Sequence, residues 1–430
     1  MSDWLVRDKR AIWHPFTPLK GMTEPEMLES AEGVNLYTKD GKRIIDVISS
    51  WWVNIHGHSH PYIAKAIAEQ AQKLEHVIFA GFTHEPAIEL AERLLEILPS
   101  NQAKIFYSDN GSTATEVGIK MAFQYFHNQG IEKRRIIAID GAYHGDTFGA
   151  MSVGDRGPFT APFDPYLFQV DFIDFPETES EEQVWLQFKS LVESGETAAF
   201  IFEPLVQGAS GMRFYSAELL DRMIGLAQAN DVICIADEVM TGFGRLGTLF
   251  ASDQLQNKPD VICLSKGLTG GVLPMGVTSC TQKIQDAYLS NDLMKTFFHG
   301  HSFTGNPMVC AAAMASLDLL LTEECEANRD RISKRHKEFY AQVESHPLVR
   351  NPRIHGTILA FELNTEKDTS YFNEARHHLY PYFIDKGLLI RPLGNVIYLI
   401  PPYIISDQDL EYVYSTILEF LNQYNQLFTN

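Results

Sequence analysis

Two charged residues stand directly after apolar runs, where a sheet can present them to a ligand. Residues 232–236 form a short β-branched run that stops at Asp237, and residues 261–264 form a second run that leads through Ser265 to Lys266. A continuous apolar run of this length is typical of a buried parallel strand. Because ligands in open α/β sheets lie beyond the carboxyl ends of the strands, we expect the carboxylate and the amine to share one crevice.

This pair of residue types suits one cofactor. A buried lysine loses its hydration, so its pKa falls and its amine becomes a nucleophile towards a carbonyl carbon. A buried aspartate can accept a hydrogen bond from a pyridinium nitrogen and keep that ring protonated, which is what pyridoxal phosphate requires as an electron sink. The alternative is that Asp237 and Lys266 are strand-end charges that pair with each other or with solvent.

A phosphate-binding turn is predicted earlier in the chain. The strand at residues 104–107 is followed by Gly111 and Ser112, which precede an apolar helix at residues 113–126. The start of a buried helix presents free backbone N–H groups and the positive end of the helix dipole. Gly111 and Ser112 are therefore candidates to bind a phosphate, although Ser112 would serve equally well as an ordinary N-cap.

Two more strands end in polar candidates. Residues 135–139 lead to Tyr143, which could stack on a flat ring or pack locally, and residues 198–202 end at Glu203. Residues 154–185 are rich in Pro, Phe and acidic side chains and are expected to form a surface excursion. Four apolar strands that lead into polar candidates before Lys266, and a fifth that ends at Lys266, predict an α/β fold with a parallel sheet and one ligand crevice.

Two motifs point to other chemistry. Residues 242–247 match the dinucleotide fingerprint G-x-G-x-x-G and would make the protein a dinucleotide-dependent oxidoreductase. However, four residues separate Gly242 from the strand that ends at Asp237, and no helix pattern opens at Gly247, so the context of that motif is missing. The alternating His56, His58 and His60 suggest a metal site, but no carboxylate or thiol completes a ligand set and we predict no metal.

Composition narrows the class of protein. The chain has 430 residues with 35 basic and 55 acidic side chains, a net charge of −20 that disfavours nucleic acid and anionic membranes as partners. Its five cysteines include no C-x-x-C pair and predict neither a disulfide framework nor a zinc site. Residues 1–10 have no apolar signal core, and residues 308–321 are too short to span a bilayer. We expect a cytoplasmic protein.

The length predicts more than one domain. We expect a large cofactor-binding domain at residues 55–321 with a mixed, mostly parallel sheet. A small α+β domain is expected from residues 322–430, with strands at residues 354–363, 388–391 and 396–400, and residues 1–54 are expected to join it. The early segment carries a predicted hairpin turned at Asp40-Gly41 and two adjacent tryptophans, Trp51 and Trp52, of which one is expected to line a cavity.

The motifs together resemble a known family. Residues 235–245 (IADEVMTGFGR) followed by Ser265-Lys266-Gly267 resemble the class III pyridoxal-phosphate aminotransferases of fold type I, over essentially the whole chain. Further segments resemble the biotin-pathway branch of that family: Trp13-His14-Pro15, Ser50-Trp51-Trp52, residues 141–147, His299-Gly300, Gly305-Asn306-Pro307 and residues 401–405. This resemblance implies a homodimeric enzyme that transaminates 8-amino-7-oxononanoate to 7,8-diaminononanoate.

The resemblance also implies residue roles. Lys266 would hold the cofactor and shuttle protons, Asp237 would partner the ring nitrogen, and Tyr143 would lie beside the ring and take part in catalysis. Binding of the cofactor phosphate would involve Gly111 and Ser112 together with His301 and Ser302, with Ser302 reaching across a dimer interface. The substrate site would be lined by Phe16, Trp51, Tyr143, Gly300, Arg391 and Tyr398, with Arg391 on the carboxylate.

The amino donor is the open point of the resemblance. Trp51-Trp52 and Tyr398 are similar to the branch that uses S-adenosylmethionine, whereas Phe16 and His301-Ser302 are similar to a branch that uses lysine. A sulfonium gains from aromatic faces, so we predict S-adenosylmethionine, with lysine as the alternative. Met240 stands where many ω-amino acid transaminases of the class carry Gln, which disfavours the further alternative of ω-amino acid transamination.

Overall fold

The structure is a computed structural model that describes residues 3–21, 23–365, 367 and 369–428. Its strands are, in chain order, β1 (Leu28–Glu32), β2 (Asn35–Thr38), β3 (Arg43–Asp46), β4 (Gln102–Ser108), β5 (Arg135–Ile139), β6 (Asp171–Ile173), β7 (Thr197–Phe202), β8 (Val206–Gln207), β9 (Arg213–Phe214), β10 (Ile233–Asp237), β11 (Val261–Leu264), β12 (Gly276–Thr281), β13 (Val349–His355), β14 (Ile358–Leu363), β15 (Leu388–Leu389) and β16 (Val396–Leu399).

The helices alternate with these strands along most of the chain. They are α1 (Asp3–Ala11), α2 (Pro61–Lys73), α3 (Glu85–Ile97), α4 (Gly111–Asn128), α5 (Phe148–Ser152), α6 (Glu181–Glu193), α7 (Ala217–Ala229), α8 (Gln282–Asp286), α9 (Pro307–Leu320), α10 (Glu323–Val343), α11 (Arg376–Asp385) and α12 (Asp407–Phe428). Among the helices described, none combines the length and the apolarity that crossing a bilayer requires.

A seven-stranded sheet forms the centre of the molecule, in the order β4-β12-β11-β10-β7-β5-β6. Only β12 runs against the other six, since it pairs antiparallel with both β11 and β4. The carboxyl ends of β4, β5, β7, β10 and β11 therefore lie at the same edge, as the sequence predicted. The mixed, mostly parallel α/β class is confirmed.

Both faces of this sheet are buried. Ile233 and Ile235 of β10 pack in a cluster with α4, whereas Cys234 and Ala236 point into the larger cluster on the opposite face. Successive residues of a strand face opposite sides, so a strand buried on both sides reads as a continuous apolar run. Because the strands are buried on both faces, they could be recognised in the sequence as continuous apolar runs, and β10 ends at the first charged residue, Asp237.

The early and late parts of the chain form smaller sheets. The predicted hairpin is confirmed, with β2 antiparallel to β3 and Gly41 at a φ of +87° in the turn. Strand β15 pairs in parallel with β3, so residues distant in sequence complete one sheet, β1-β2-β3-β15. A second sheet has the order β13-β14-β16, and β8 and β9 pair as a short ribbon.

Two predicted segments are wrong in detail. Residues 354–363 form the adjoining parts of two antiparallel strands, β13 and β14, because the chain reverses at Gly356, whose φ is +56°. The backbone of the next residue, Thr357, donates to the carbonyl of Arg245 at 2.9 Å. Residues 154–185 are not wholly a surface excursion, since β6 pairs with β5 at the edge of the large sheet.

Candidate active site

The carboxyl edge of the large sheet opens onto a cavity of about 440 Å³. Five residues predicted from the sequence line it: Gly111, Ser112, Tyr143, Asp237 and Lys266. The lining also includes Trp52, His144, Gly145, Glu203 and Met240. The structure thus brings together the amine, the carboxylate, the aromatic ring and the start of α4, which come from four separate strand ends.

Lys266 lies two residues beyond β11 and faces this cavity. Its φ of +44° is unusual for a residue with a side chain and turns the lysine out of the strand direction. The Nζ lies 4.6 Å from the centre of the Trp52 ring. Burial lowers the pKa of Lys266 to about 8, although Asp237 and Glu203 act in the opposite direction. Roughly a tenth of this amine is therefore neutral, and nucleophilic, at pH 7, far more than for an ordinary lysine.

Asp237, the last residue of β10, is fixed by two hydrogen bonds. His144 Nδ1 donates to Asp237 Oδ2 at 2.7 Å, and the backbone N–H of Val239 donates to Oδ1 at 3.0 Å. Both side chains are buried, and the Nε2 of His144 has no hydrogen-bond partner within the described residues. These two donors fix the orientation of the Asp237 carboxyl group, which lies in the cavity lining.

Glu203 adds a second carboxyl group next to the first. Its two oxygens accept hydrogen bonds from the backbone N–H groups of Tyr143 at 3.0 Å and Gly208 at 2.9 Å. Burial raises the pKa of Glu203 to about 7, and the negative charge of Asp237 raises it further, against the effect of His144. The carboxyl group thus connects the loop that carries Tyr143 to Gly208, the residue that follows β8.

The start of α4 forms the opposite end of the cavity. Asn110, and not Ser112, is the N-cap, since its side chain accepts from the backbone of Thr113 at 3.0 Å. The N-cap alternative for Ser112 is therefore wrong. Its hydroxyl lies in the cavity lining and accepts from the backbone of Asp146 at 3.2 Å, and free N–H groups of the first helical turn lie beside it.

Tyr143 lies at the cavity wall and is 38% exposed. Burial raises the pKa of its hydroxyl, and the neighbouring carboxylate of Asp146 raises it further. The phenol is consequently neutral over the physiological range. Its ring can cover one side of a flat ligand, and its backbone is held by Glu203.

The two tryptophans are presented by an unusual turn. Ser49, Ser50, Trp51 and Trp52 have φ values of 51°, 45°, 73° and 74°, so four consecutive residues with side chains lie in the left-handed region. Each such residue costs roughly 1–2 kcal/mol. The turn points the tryptophans to different places: Trp52 is 4% exposed and lies in the cavity lining, whereas Trp51 is 38% exposed.

The predicted substrate residues form a second group beyond Trp52. Tyr398 Oη accepts from Trp52 Nε1 at 3.2 Å, which connects this group to the cavity. The Arg391 guanidinium lies 5.2 Å from the Trp51 ring, and the Phe16 ring meets Trp51 edge-on at 5.5 Å. Arg391 follows β15 by two residues and does not itself end a strand, contrary to the sequence prediction.

The loop before α9 does not reach the cavity within one chain. Gly300, His301 and Ser302 are absent from the described cavity lining, and Gly300 and Ser302 are exposed. His301 closes a local turn, because its Nδ1 accepts from the backbone of Phe303 at 3.2 Å.

The two competing motifs have other roles. No helix begins at Gly247, and the next one is a short 3-10 helix at Ala251–Gln254. Within residues 242–247 Arg245 is fully buried, donating to the carbonyls of Pro401 at 3.0 Å and Trp52 at 3.1 Å. The three histidines do not converge on one point: His56 bonds to Ser316 and His58 to Asp46, and the His60 ring meets the His56 ring edge-on at 6.5 Å. No group of three metal-ligating side chains meets anywhere in the part of the chain that the structure describes.

Known proteins resemble the chain over nearly its whole length. The family model for class III aminotransferases matches residues 20–421. The adenosylmethionine-8-amino-7-oxononanoate aminotransferase of Synechococcus elongatus is 47% identical over 420 residues, covering 96% of this chain and 98% of that protein. The protein of the same name from Staphylococcus aureus is 36% identical over 94% of each chain.

Solved structures agree with this relationship. The adenosylmethionine-8-amino-7-oxononanoate aminotransferase of Methanocaldococcus jannaschii superposes with a TM-score of 0.93 at 34% identity, covering 98% of both chains. An amine transaminase from an uncultivated Pseudomonas species, crystallised in its PLP-bound form, superposes with a TM-score of 0.89 at 28% identity, covering 96% of this chain and 98% of that one.

Proposed function

The chain belongs to the class III aminotransferases, and from that membership we propose that it transfers an amino group from S-adenosylmethionine to 8-amino-7-oxononanoate. The product would be 7,8-diaminononanoate, an intermediate of biotin biosynthesis. The observation that carries the proposal is the meeting of Lys266, Asp237 and the start of α4 at one cavity, in a chain 47% identical to a relative named for this substrate pair.

The residues of the cavity fit pyridoxal phosphate. A Cβ on Gly145 would overlap Ser112, so only glycine lets the Tyr143 loop pack this closely against the start of α4. Free N–H groups and the helix dipole there suit a phosphate. The buried Asp237 carboxylate suits a pyridinium N–H, and Lys266 supplies an amine of lowered pKa.

When bound, the cofactor would act as an electron sink for the carbon that carries the amino group. Lys266 would hold the cofactor and then carry a proton to and from that carbon, for which a pKa of about 8 is well matched. Asp237, oriented by His144, would keep the ring nitrogen protonated. Tyr143 would cover the ring on one side, and Trp52 would exclude water from Lys266.

The group beyond Trp52 would bind the substrates. Arg391 offers a planar fork for a carboxylate and is already oriented by the Trp51 ring. Tyr398 is buried and, through its bond to Trp52, borders the cavity. Phe16 and Trp51 would supply apolar walls for a long aliphatic chain. S-adenosylmethionine is favoured as amino donor because a sulfonium gains from aromatic faces and because the relatives carry it in their names.

A homodimer would complete the site. Ser302, with Gly300 and His301 beside it, is exposed in one chain and would reach the cofactor phosphate or the substrate of a second copy. Aromatic side chains of the same loop are also exposed, Phe298 and Phe303 among them, and would be covered in such a dimer.

The proposal is tested by a panel of amines with 8-amino-7-oxononanoate as acceptor. Purified protein loaded with pyridoxal phosphate is mixed with the acceptor and with S-adenosylmethionine, lysine or a short ω-amino acid, and 7,8-diaminononanoate is quantified by mass spectrometry. Product with S-adenosylmethionine supports the proposal. If product forms only when lysine is the donor, the choice of amino donor is wrong. If no product forms in any of the reactions, the choice of acceptor is wrong.

A further inference from the structure

One buried carboxylate, Asp46, holds the middle of the left-handed turn at residues 49–52. It lies at the end of β3 and is fully buried. Asp46 Oδ1 accepts from the backbone of Ile48 at 3.1 Å, and Oδ2 accepts from the hydroxyl of Ser50 at 2.7 Å. Both donors belong to the turn or to the residue before it. These side-chain bonds add to the backbone bonds of the turn, in which Trp52 N–H donates to the Ile48 carbonyl at 2.8 Å and Val53 N–H to the Ser49 carbonyl at 2.9 Å. Left-handed residues with side chains are strained and persist only where the surrounding contacts hold them.

His58 holds that carboxylate from the other side. Its Nε2 donates to Asp46 Oδ2 at 2.9 Å, and its Nδ1 accepts from the side-chain amide of Asn54 at 3.2 Å, which fixes the tautomer. The backbone of His58 is itself anchored by a pair of hydrogen bonds to Gly33. The imidazole is thus a rigid support that lies outside the cavity lining.

The ends of the turn have separate anchors. Ser49 Oγ donates to the carbonyl of Ile400 at 2.7 Å, and Arg245 donates to the carbonyl of Trp52 at 3.1 Å. These bonds place the first and last residues of the turn. Between them, Ser50 is held through its side chain by Asp46, which in turn is bonded to His58.

We propose that Asp46 and His58 are positioning residues for the substrate site. By holding the left-handed turn they keep Trp52 against the Lys266 amine and Trp51 against Arg391. A right-handed or extended backbone would turn the two rings away from these partners. The inference deepens the proposed function, on which it rests for the identity of the substrates, and it makes the pair a determinant of substrate affinity.

The test compares three single variants of the cofactor-loaded enzyme. His58→Ala removes the support, His58→Gln keeps an N–H that can donate to Asp46, and His60→Ala is the matched control on the same loop. For His58→Ala we expect the KM for both substrates to rise about tenfold while kcat changes less than about threefold. His58→Gln should recover most of the affinity, and His60→Ala should stay within about twofold of the wild type.

If Asp46 and His58 only stabilise the fold, the variants give a different result. His58→Ala would then lower the thermal midpoint and leave KM unchanged in the protein that remains folded, and this outcome overturns the proposal. A crystal structure of His58→Ala is the second measurement and needs no turnover. Positive φ values retained at Ser50 and Trp51 would contradict the proposal, and their loss would support it even if the enzyme proved to use another amine or acceptor.

Discussion

At the scale of the residue, the chemistry depends on Lys266 being partly neutral near neutral pH. Burial lowers the pKa of its amine to about 8 from an ordinary value of 10.5. In the cofactor-free protein, reductive methylation of Lys266 by formaldehyde should therefore rise with pH through a midpoint near 8, because only the neutral amine attacks a carbonyl. Peptide mass spectrometry measures the modified fraction at each pH.

The exposed Lys65 in the same sample provides the internal control for reagent reactivity. A Lys266 profile that follows that of Lys65 over the whole pH range would contradict the lowered pKa. Lys266→Ala should abolish turnover altogether, since it removes both the attachment point and the proton carrier.

Glu203 gives a second prediction, on stability. Its carboxyl pKa of about 7 in the folded chain lies above the ordinary value of 4.5, so the folded state keeps a proton that the unfolded chain releases between pH 4.5 and 7. The free energy of unfolding contributed by this group is fully present below pH 4.5 and is lost as pH rises to 7. The loss amounts to roughly 3 kcal/mol at most.

Glu203→Gln removes this titration. Urea unfolding of the cofactor-free proteins at pH 5 and pH 8 should show that the free energy of unfolding of the variant increases relative to that of the wild type as pH rises. Glu89→Gln, an exposed substitution on α3, serves as the control and should keep a constant difference from the wild type. An equally constant difference for Glu203→Gln would show that the carboxyl is ionised throughout.

At the scale of the element, the start of α4 and the Tyr143 loop must fit together closely. Gly145 has a φ of +128°, and a Cβ there would overlap the hydroxyl of Ser112. Gly145→Ala should therefore raise the Kd for pyridoxal phosphate at least about tenfold, equivalent to about 1.4 kcal/mol. Equilibrium dialysis or the visible absorbance of the bound cofactor measures this change.

Gly130→Ala separates backbone strain from loss of the binding site. Gly130 also has a positive φ, +72°, but a Cβ there meets no atom within 4 Å. This variant should lose stability and bind the cofactor with wild-type affinity. If Gly145→Ala binds as tightly as Gly130→Ala, the start of α4 is not the phosphate site.

Most strands of the large sheet, and the residues at their carboxyl ends, could be predicted from the sequence. The strands of the large sheet are buried on both faces, so each appears as an apolar run with a polar residue at its carboxyl end, and Asp237, Lys266 and Ser112 could be assigned to one edge from that pattern alone. The hairpin turn at Gly356 was missed because Ile354 before it and most of β14 after it are apolar, so the end of β13 and the whole of β14 looked like one strand.

Other parts of the site could not be predicted because they depend on tertiary contacts. The bond between His144 and Asp237 joins residues 93 positions apart. The prediction that one of two adjacent tryptophans lines a cavity is confirmed, since Trp52 lies in the lining, and the assignment of Trp51 to the substrate site stays a prediction. Four left-handed residues without a glycine have no sequence signal, so the direction of each ring could not be inferred.

At the scale of the whole molecule, we propose that residues 322–430 and 1–54 form a small domain and residues 55–321 a large one. The pairing of β15 with β3 supports the assignment of the early segment to the late part of the chain. The Trp52 carbonyl bonded to Arg245 and the Trp52 indole bonded to Tyr398 place this tryptophan where the two parts meet.

The dimer proposal predicts complementation between inactive chains. Lys266→Ala and Ser302→Asp homodimers should each be inactive, the second because a negative charge would face the cofactor phosphate. Unfolding and refolding an equal mixture should restore roughly a quarter of wild-type activity, because half of the dimers are mixed and each holds one intact site. Ser302→Ala, which adds no charge, is the control for the substitution. A mixture of well-folded mixed dimers without activity would mean that Ser302 acts within its own chain.

The central claim is that nitrogen passes from S-adenosylmethionine to carbon 7 of 8-amino-7-oxononanoate. It is tested most directly with S-adenosylmethionine carrying ¹⁵N in its α-amino group, incubated with the cofactor-loaded enzyme and unlabelled acceptor. We predict that 7,8-diaminononanoate gains one ¹⁵N, located at carbon 7 by fragmentation, and that the Lys266→Ala protein gives none. Product that forms only when ¹⁵N-lysine replaces S-adenosylmethionine, or no labelled diamine from either amine, would contradict the account.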